Sequence, residues 1–180
     1  QARAWLRKLI QKFKKMGFRY FKIDFNTICP SARLYDRRLT HLEAYRSLYE
    51  LYREEIGEEN YLLSCSGFSR GTLGYADGSR ISPDSCAKWS AAHTCCISAC
   101  LRIAGSSTYA NGVWYACDPD VTYLGSEGSL SDAEWRSWHS YVGLLGGFQM
   151  FSSEIWKAPS SGRIRNLEIL LPPARDKGRS

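Results

Sequence analysis

The sequence lacks long apolar runs and any large excess of charge. No uninterrupted apolar stretch in the 180 residues approaches the roughly 20 residues that a membrane-spanning helix needs, so we expect no membrane partner. Charged residues make up 23% of the chain, against 44% hydrophobic and 13% aromatic residues. This composition excludes an intrinsically disordered chain and is typical of a globular protein with a sizeable core.

The sequence also lacks the cysteine and glycine spacings of common cofactor sites. None of its seven cysteines form a C-x-x-C pair, so a zinc site is not expected. The glycines at positions 67, 71, 74 and 78 do not match a phosphate-binding fingerprint. We therefore predict neither a metal nor another cofactor. The odd number of cysteines leaves at least one thiol free, and it leaves the compartment and the disulfide status open.

The chain has no initiator methionine and no signal or transit peptide, and it begins inside a predicted helix. We therefore expect a segment of a longer protein. The net charge of +6 makes a nucleic-acid or acidic-polymer binder one alternative. However, the basic residues within 3–15 alternate with apolar residues at helical spacing, which indicates the solvated face of an amphipathic helix. We predict no nucleic-acid partner, and no pattern indicates the oligomeric state.

One apolar and aromatic run, residues 20–26, carries a lysine and an aspartate in its middle. The run predicts a buried strand of a parallel sheet. Because strand side chains alternate in direction, Lys22 and Asp24 project from the same face. A lysine beside this aspartate would keep the carboxylate ionised and make it a candidate nucleophile or base. The alternative is a buried ion pair that only fixes the strand register.

Helix and strand patterns alternate along the whole chain. Strands are predicted at 18–25, 61–65, 79–82, 113–117 and 148–151. Helices are predicted at 3–16, from the capping box at Thr40 to Gly57, at 89–103, from the capping box at Ser131 to Gly146, and at 164–170. We expect Trp89 and Trp114 in the core, and we expect the three histidines, His41, His93 and His139, in helices away from any site.

This alternation predicts a parallel α/β sheet whose strands end on one rim. The polar residues at or just after these strand ends are Lys22, Asp24, Cys65, Ser66, Arg80, Asp84, Asp118 and Asp120. A doubly wound sheet also fits the alternation, but the glycine-rich first turn expected of it is absent, so we predict an α/β barrel. Two carboxylates on one rim, with a lysine and an arginine among them, are costly to assemble without a function or charge compensation. Glycoside hydrolysis is one explanation, because it uses one ionised carboxylate and one carboxylic acid of raised pKa.

Several motifs of the sequence resemble, in order, those of the alpha-galactosidases (melibiases) of glycoside hydrolase clan D. Residues 21–26, FKIDFN, resemble the K-x-D-x-N nucleophile strand of the family, and residues 64–67, SCSG, resemble its next strand end. Residues 80–84, RISPD, resemble its R-x-x-x-D acid/base segment, and residues 118–120, DPD, its D-P-D strand. Residues 130–153 are similar to the penultimate barrel helix and last strand, and residues 170–173 to the exit from the barrel.

The resemblance implies a (β/α)8 TIM barrel of which only the C-terminal part, about strands four to eight, is present. A complete barrel would need about 250 residues. Residues 1–172 are accordingly expected to form a partial glycoside hydrolase catalytic domain, and residues 173–180 a tail leading out of the barrel.

The resemblance also implies a role for each site residue. Asp24 would attack the anomeric carbon, and Asp84 would protonate the departing oxygen and then activate water, which is a retaining double displacement on a terminal alpha-galactoside. The implied substrate-binding residues are Lys22, Arg80, Cys65, Ser66, Gly67 and Asp120. For Asp120 the alternative is a D-P-D turn that satisfies its own backbone.

The expected partner is an alpha-linked oligosaccharide. Residues 66–69 match neither branch of the family, so the exact sugar and linkage stay open. The alternative to an enzyme is a catalytically incomplete barrel fragment or a carbohydrate-binding relative.

Overall fold

The computed structural model describes residues 1–26, 33–65, 69–90, 95–124, 129–154 and 156. Two units make up the fold, Gln1–Arg80 and Ile81–Ser180. The chain is a mixed α/β protein with a parallel sheet, as the alternation of patterns predicts. The predictions for Ser66, Gly67, His93, the helix at 164–170 and the tail at 173–180 lie outside the described residues.

The first unit contains three parallel strands, β1 (Tyr20–Ile23), β2 (Tyr61–Ser64) and β3 (Gly78–Arg80). In register, Ile23 lies beside Ser64, and Ser64 beside Ser79. Strand β1 is shorter than the predicted 18–25, because Phe25 has a φ of +58° and leaves the extended conformation. Because Ile23, Ser64 and Ser79 are in register, the three strands end within one residue of each other.

Two helices, α1 (Ala2–Lys15) and α2 (His41–Ile56), accompany this sheet. Helix α2 begins at the predicted capping box, in which the hydroxyl of Thr40 accepts from the N–H of Glu43 and the carboxylate of Glu43 accepts from the N–H of Thr40. The core of this unit comprises Ile10, Phe21, Tyr45, Tyr49, Leu51, Tyr52, Ile56 and Leu62.

Two positions of α2 differ from the buried stripe that its helical spacing of apolar residues predicts, namely Leu42, Tyr45, Leu48, Tyr49, Tyr52 and Ile56. Leu42 was expected inside but is 47% exposed, whereas Leu51 lies outside the stripe and is fully buried. Helix α2 contacts α1, β2 and a short 3-10 helix at Ser69–Thr72, so more than one of its faces is covered. A single-face pattern cannot describe such a helix.

Basic residues of α1 pair with the acidic end of α2. The guanidinium of Arg7 donates to the carboxylates of Glu54 and Glu55, and Nζ of Lys14 lies 3.4 Å from Oε1 of Glu59. The hydrogen bonds to Glu55 and Glu54 raise the pKa of Arg7. Part of the basic cluster at 3–15 is therefore explained by contacts inside this unit.

The second unit contains α3 (Ile97–Gly105), β4 (Ala116–Asp118) and α4 (Asp132–Leu145). Helix α4 begins at the predicted capping box of Ser131 and Glu134 and ends at Gly146, whose φ is +66°. The buried core of this unit comprises Ile97, Cys100, Tyr123, Leu130, Trp138 and Val142.

Three predictions for the second unit are wrong in their boundaries. The helix expected at 89–103 begins at Ile97, because the chain at Lys88 and Trp89 runs outside the helix and its carbonyls accept from the N–H groups of Ile97 and Ser98. Strand 113–117 begins only at Ala116, since residues 112–114 form a turn. Residues 148–151 contribute only an isolated bridge between Phe151 and Thr122.

The two tryptophans expected in the core differ. Trp89 is partly buried and packs against the core of the second unit. Trp114 is 37% exposed, so the expectation of a core position is wrong for it. Its ring lies in the turn before β4 and packs edge-on against the exposed ring of Tyr109.

Of the histidines, His41 opens α2 and His139 is buried in α4 against the ring of Trp135. Both helical predictions are confirmed. Within the described parts of the chain, no helix is both long and apolar enough to cross a membrane.

Candidate active site

Three of the predicted site residues meet at the carboxyl edge of the first unit's sheet. Asp24 and Cys65 directly follow β1 and β2, and Arg80 ends β3. The register places these residues one step beyond the row Ile23, Ser64 and Ser79, and the N–H of Cys65 donates to the carbonyl of Ile23 at 2.8 Å. Neighbouring positions in a parallel register share a face, so the three side chains belong to the same side of the sheet.

Lys22 and Asp24 have the predicted alternation with Phe21. The phenylalanine is buried in the core beneath β1, and Lys22 and Asp24 are exposed. Both charged residues are thus more exposed than Phe21, although Lys22 also lines the cavity between α1 and β1. The expectation that both project from one face agrees with this burial pattern.

The backbone at Asp24 turns sharply after β1. The N–H of Phe25 donates to Oδ1 of Asp24 at 2.7 Å, and Phe25 occupies the left-handed region with φ +58°. A bulky residue in this conformation is uncommon, and strained backbone tends to occur at functional sites. The turn fixes one carboxylate oxygen of Asp24 next to its own main chain.

Tyr49 of α2 stabilises this turn through its hydroxyl. The sequence patterns do not predict it as part of the site. Its hydroxyl accepts from Nδ2 of Asn26 at 3.2 Å and shares a hydrogen bond of 2.7 Å with Oγ of the buried Ser64. Asn26 belongs to the K-x-D-x-N motif, so the motif's last residue helps to hold the chain that follows Asp24. Tyr49 itself reads in the sequence only as one member of an apolar helical stripe.

Cys65 and Arg80 are in contact. Nη1 of Arg80 lies 3.8 Å from Sγ of Cys65, within the distance for a weak hydrogen bond to sulfur. Cys65 is buried and Arg80 is half-buried. The arginine therefore lies against the end of β2 and keeps a part of its surface open to solvent.

In the second unit, Asp84 is exposed on a segment held on both sides. Oγ of Ser82 donates to the carbonyl of Pro119 at 2.6 Å, and the N–H of Ser85 donates to Oδ2 of Asp120 at 2.6 Å. The residues just before and after Pro83 and Asp84 are thus attached to the chain that leaves β4.

Asp120 lies in the D-P-D turn with a φ of +80°, a left-handed conformation that aspartate adopts more readily than most residues. Its N–H donates to Oδ1 of Asp118 at 2.8 Å, which is the turn geometry that this motif favours. Asp120 is only 7% exposed. Phe25 and Asp120 are the two non-glycine residues with positive φ in the described part of the chain, and each lies at a strand's carboxyl end.

Two protonation equilibria near this segment are displaced. Burial raises the pKa of Tyr123, and the charge of Asp120 adds to the rise. Burial, reinforced by Asp118, raises the pKa of the Cys117 thiol to about 11. Both groups are therefore neutral at ordinary pH, and the hydroxyl of Tyr123 keeps its proton to donate.

The first unit has a cavity that none of these carboxylates lines. About 310 Å³ of space lies between α1 and β1, and it is lined by Leu6, Leu9, Ile10, Phe13, Phe18, Tyr20, Phe21, Lys22, Ile23 and Tyr52. Such walls offer few partners for sugar hydroxyls. Within the described ranges, no group of three or more histidine, cysteine or acidic side chains is arranged to hold a metal ion.

The structure thus brings together Asp24, Cys65 and Arg80 in the first unit, and it joins Asp120 to the segment of Asp84 in the second. Ser66 and Gly67 are outside the described residues.

Comparison with known proteins places this geometry in a structural class. The chain is similar to two solved structures of the α-galactosidase of Thermus thermophilus. In complex with stachyose, the match has 26% sequence identity and a TM-score of 0.74, and covers 96% of this chain and 38% of that chain. In complex with p-nitrophenyl α-D-galactopyranoside, it has 26% identity and a TM-score of 0.72, and covers 95% and 36%. No protein-family profile matches the chain.

The fold is therefore α-galactosidase-like. The chain spans less than two-fifths of the length of the α-galactosidase chains it matches.

Proposed function

We propose that the protein is a retaining glycoside hydrolase that cleaves terminal α-galactosides, or the part of one that carries both catalytic carboxylates. The observation that carries the proposal is the match to α-galactosidase over 96% of this chain, with Asp24 at the end of a parallel strand beside Cys65 and Arg80. The structures that it matches hold stachyose and p-nitrophenyl α-galactopyranoside. An α-linked oligosaccharide is accordingly the proposed substrate.

Asp24 is the proposed nucleophile. Its exposed carboxylate would attack the anomeric carbon and displace the glycosidic oxygen, giving a covalent glycosyl–enzyme intermediate. The hydrogen bond from Phe25 holds one carboxylate oxygen, Oδ1. A carboxylate with a fixed orientation loses less freedom when it meets the substrate, and this favours attack.

Asp84 is the proposed acid and base. It would donate a proton to the departing oxygen in the first step and take a proton from water in the second. Its side chain is exposed while the adjacent residues Ser82 and Ser85 are attached to the chain after β4. An exposed carboxylate on a firmly attached main chain supports this role, because the carboxylate must reach the substrate from a fixed position.

Lys22, Arg80, Cys65, Ser66 and Gly67 are the proposed substrate-binding residues. Ammonium and guanidinium groups donate several hydrogen bonds to sugar hydroxyls and accept none. We propose that residues 1–172 form a partial TIM-barrel catalytic domain and that residues 173–180 lead out of it. Asp120 would either border the substrate or support the residues that do.

The second candidate is a catalytically incomplete barrel or a carbohydrate-binding relative. The observation in its favour is that the chain spans only 36–38% of the length of the α-galactosidases it matches. It predicts that the protein binds stachyose measurably and does not hydrolyse it.

The test is hydrolysis of stachyose and p-nitrophenyl α-galactopyranoside by the full-length protein that contains these residues. We expect turnover of both, and little turnover of the matching α-glucoside. Asp84→Ala should lower kcat/KM for stachyose by roughly 10²- to 10⁴-fold and kcat/KM for the nitrophenyl substrate much less, because kcat/KM reports the first step, in which nitrophenol departs with little protonation. Asp36→Ala, at an aspartate that pairs with Arg38 and has a side chain 34% exposed, is the control and should change neither rate.

Equal losses of kcat/KM on the two substrates would remove Asp84 from the acid role. Binding of stachyose without turnover would support the second candidate.

A further inference from the structure

Ser85, the residue after Asp84, has each of its polar groups engaged. Its N–H donates to Oδ2 of Asp120 at 2.6 Å, and its hydroxyl donates to the carbonyl of Val121 at 3.0 Å. Its carbonyl accepts from the hydroxyl of Tyr123 at 2.9 Å. Three partners from one short segment therefore hold a single residue in place.

The residues before Asp84 are held as well. Oγ of Ser82 donates to the carbonyl of Pro119, and the thiol of the fully buried Cys100 lies 3.4 Å from the carbonyl of Pro83. Pro83 also fixes its own φ. The main chain on both sides of Asp84 is thus fastened, while the carboxylate itself is exposed.

The segment that holds Ser85 is in turn fixed by α4. Nε1 of Trp135 donates to the carbonyl of Tyr123 at 2.6 Å, and Nε1 of Trp138 donates to the carbonyl of Val121 at 3.1 Å. Both indoles are fully buried in the second unit's core. A buried aromatic with a satisfied N–H is a rigid anchor, so the hold on Ser85 extends to a packed helix.

The two side chains that reach Ser85 suit this task. Tyr123 stays neutral because burial raises its pKa, so its hydroxyl can donate to the carbonyl of Ser85. Asp120 is buried, and its left-handed backbone turns its carboxylate back toward the N–H of Ser85.

Resting on the proposed function, we propose that Asp120 and Tyr123 are positioning residues, which fix the main chain at Ser85 and so hold the proposed acid and base Asp84 at the glycosidic oxygen. Neither residue needs to touch the sugar in this role. Misplacing a proton donor by a fraction of an ångström slows proton transfer far more than it weakens substrate binding.

Three variants and one matched control separate this role from substrate contact. Tyr123→Phe removes only the hydroxyl, and Asp120→Gly removes the carboxylate while tolerating positive φ. Asp120→Asn keeps both an acceptor oxygen and the tolerance of positive φ. Tyr141→Phe is the control, because the buried hydroxyl of Tyr141 has no hydrogen-bond partner among the described residues.

The first readout is the steady-state rate of the full-length protein. Tyr123→Phe and Asp120→Gly should lower kcat/KM for stachyose by roughly 10- to 100-fold through a lower kcat, with a much smaller loss of kcat/KM on p-nitrophenyl α-galactopyranoside. Asp120→Asn should restore most of the loss, and Tyr141→Phe should match the wild type. Equal losses of kcat/KM on both substrates, or a loss on stachyose that lies in a raised KM with unchanged kcat, would overturn the proposal.

The second readout does not depend on activity. Hydrogen–deuterium exchange of the peptide spanning residues 82–88 should rise about 10-fold in Tyr123→Phe and Asp120→Gly and stay unchanged in Tyr141→Phe. Unchanged exchange in the first two variants would overturn the proposed hold on Asp84. A wild type that hydrolyses neither substrate would reject the proposed function, and the exchange result would still decide whether Asp120 and Tyr123 hold Ser85.

Discussion

Arg53 is a buried cation of the first unit, with hydrogen bonds to several parts of the chain. Its Nε donates to the carbonyl of Tyr75 at 2.8 Å, and its Nη1 donates to the carbonyls of Gly57 and Asn60 at 3.1 and 3.0 Å. Its Nη2 lies 2.6 Å from Oδ2 of Asp77. One side chain therefore joins the end of α2, the start of β2 and the chain that enters β3.

Replacing it by methionine keeps much of the apolar stem and removes every donor. Three carbonyls and a carboxylate then lose a partner in a site where the arginine side chain is only 9% exposed. The side chain of Asp77 is 37% exposed, so its charge stays partly solvated and the loss falls mainly on the carbonyls. Each buried acceptor left without a donor costs about 1–3 kcal/mol, and we expect about 3–5 kcal/mol in all. For a chain of this size, that loss lowers the thermal midpoint by roughly 6–20 °C.

The assay is thermal unfolding followed by circular dichroism, with Arg38→Met as the matched control. Nη2 of Arg38 lies 2.7 Å from Oδ2 of Asp36, nearly the same ion-pair distance, but the arginine side chain is 89% exposed. The control should therefore keep its midpoint within about 2 °C. Equal shifts of the thermal midpoint in the two variants would show that burial does not set the contribution of Arg53.

Three further outcomes are expected. Gly147→Ala should lower the urea midpoint, because the added methyl would collide with a carbonyl of β4, whereas Gly105→Ala has nothing within 4 Å to meet and should be tolerated. Burial raises the pKa of Tyr52 from 10.0 to about 12, so its stabilising effect is complete below pH 10 and is lost as the pH rises toward 12. Alkaline unfolding should therefore shift to higher pH in Tyr52→Phe. The hydrogen bond from Gln11 is the main cause that lowers the pKa of Glu55, so Glu55→Gln should reduce the loss of stability as the pH falls below about 4.5.

The parts of the fold that the sequence predicts are those that local chemistry decides. Thr40 with Glu43, and Ser131 with Glu134, are three residues apart, and each pair forms the expected capping box. The end of α1 also lies where expected, with Gly17 at a φ of +95° directly after the last turn.

The start of α3 could not be read in the same way. Its first two N–H groups, those of Ile97 and Ser98, donate to the carbonyls of Lys88 and Trp89. Each acceptor lies nine positions before its donor and outside the helix. The spacing of residues along the sequence does not reveal such a pairing, so it predicts a helix that starts at residue 89.

The same limit applies to the candidate site. The alternation of strands and helices is sufficient to put Asp24 at the end of β1, and the contact of Arg80 with Cys65 follows from the register of β2 and β3. The attachment of Ser85 to Asp120 joins residues 35 positions apart. Such a contact depends on how β4 lies beside residue 81, and tertiary structure alone decides it.

Covalent trapping of the nucleophile tests the proposed role of Asp24. A fluorinated or cyclitol-type galactose inactivator, applied to the full-length protein, should arrest the glycosyl–enzyme intermediate. Digestion and mass spectrometry should then locate one label on the peptide that contains Asp24, and Asp24→Asn should abolish labelling. A label on any other residue, or a first product of inverted anomeric configuration by NMR, would contradict the account.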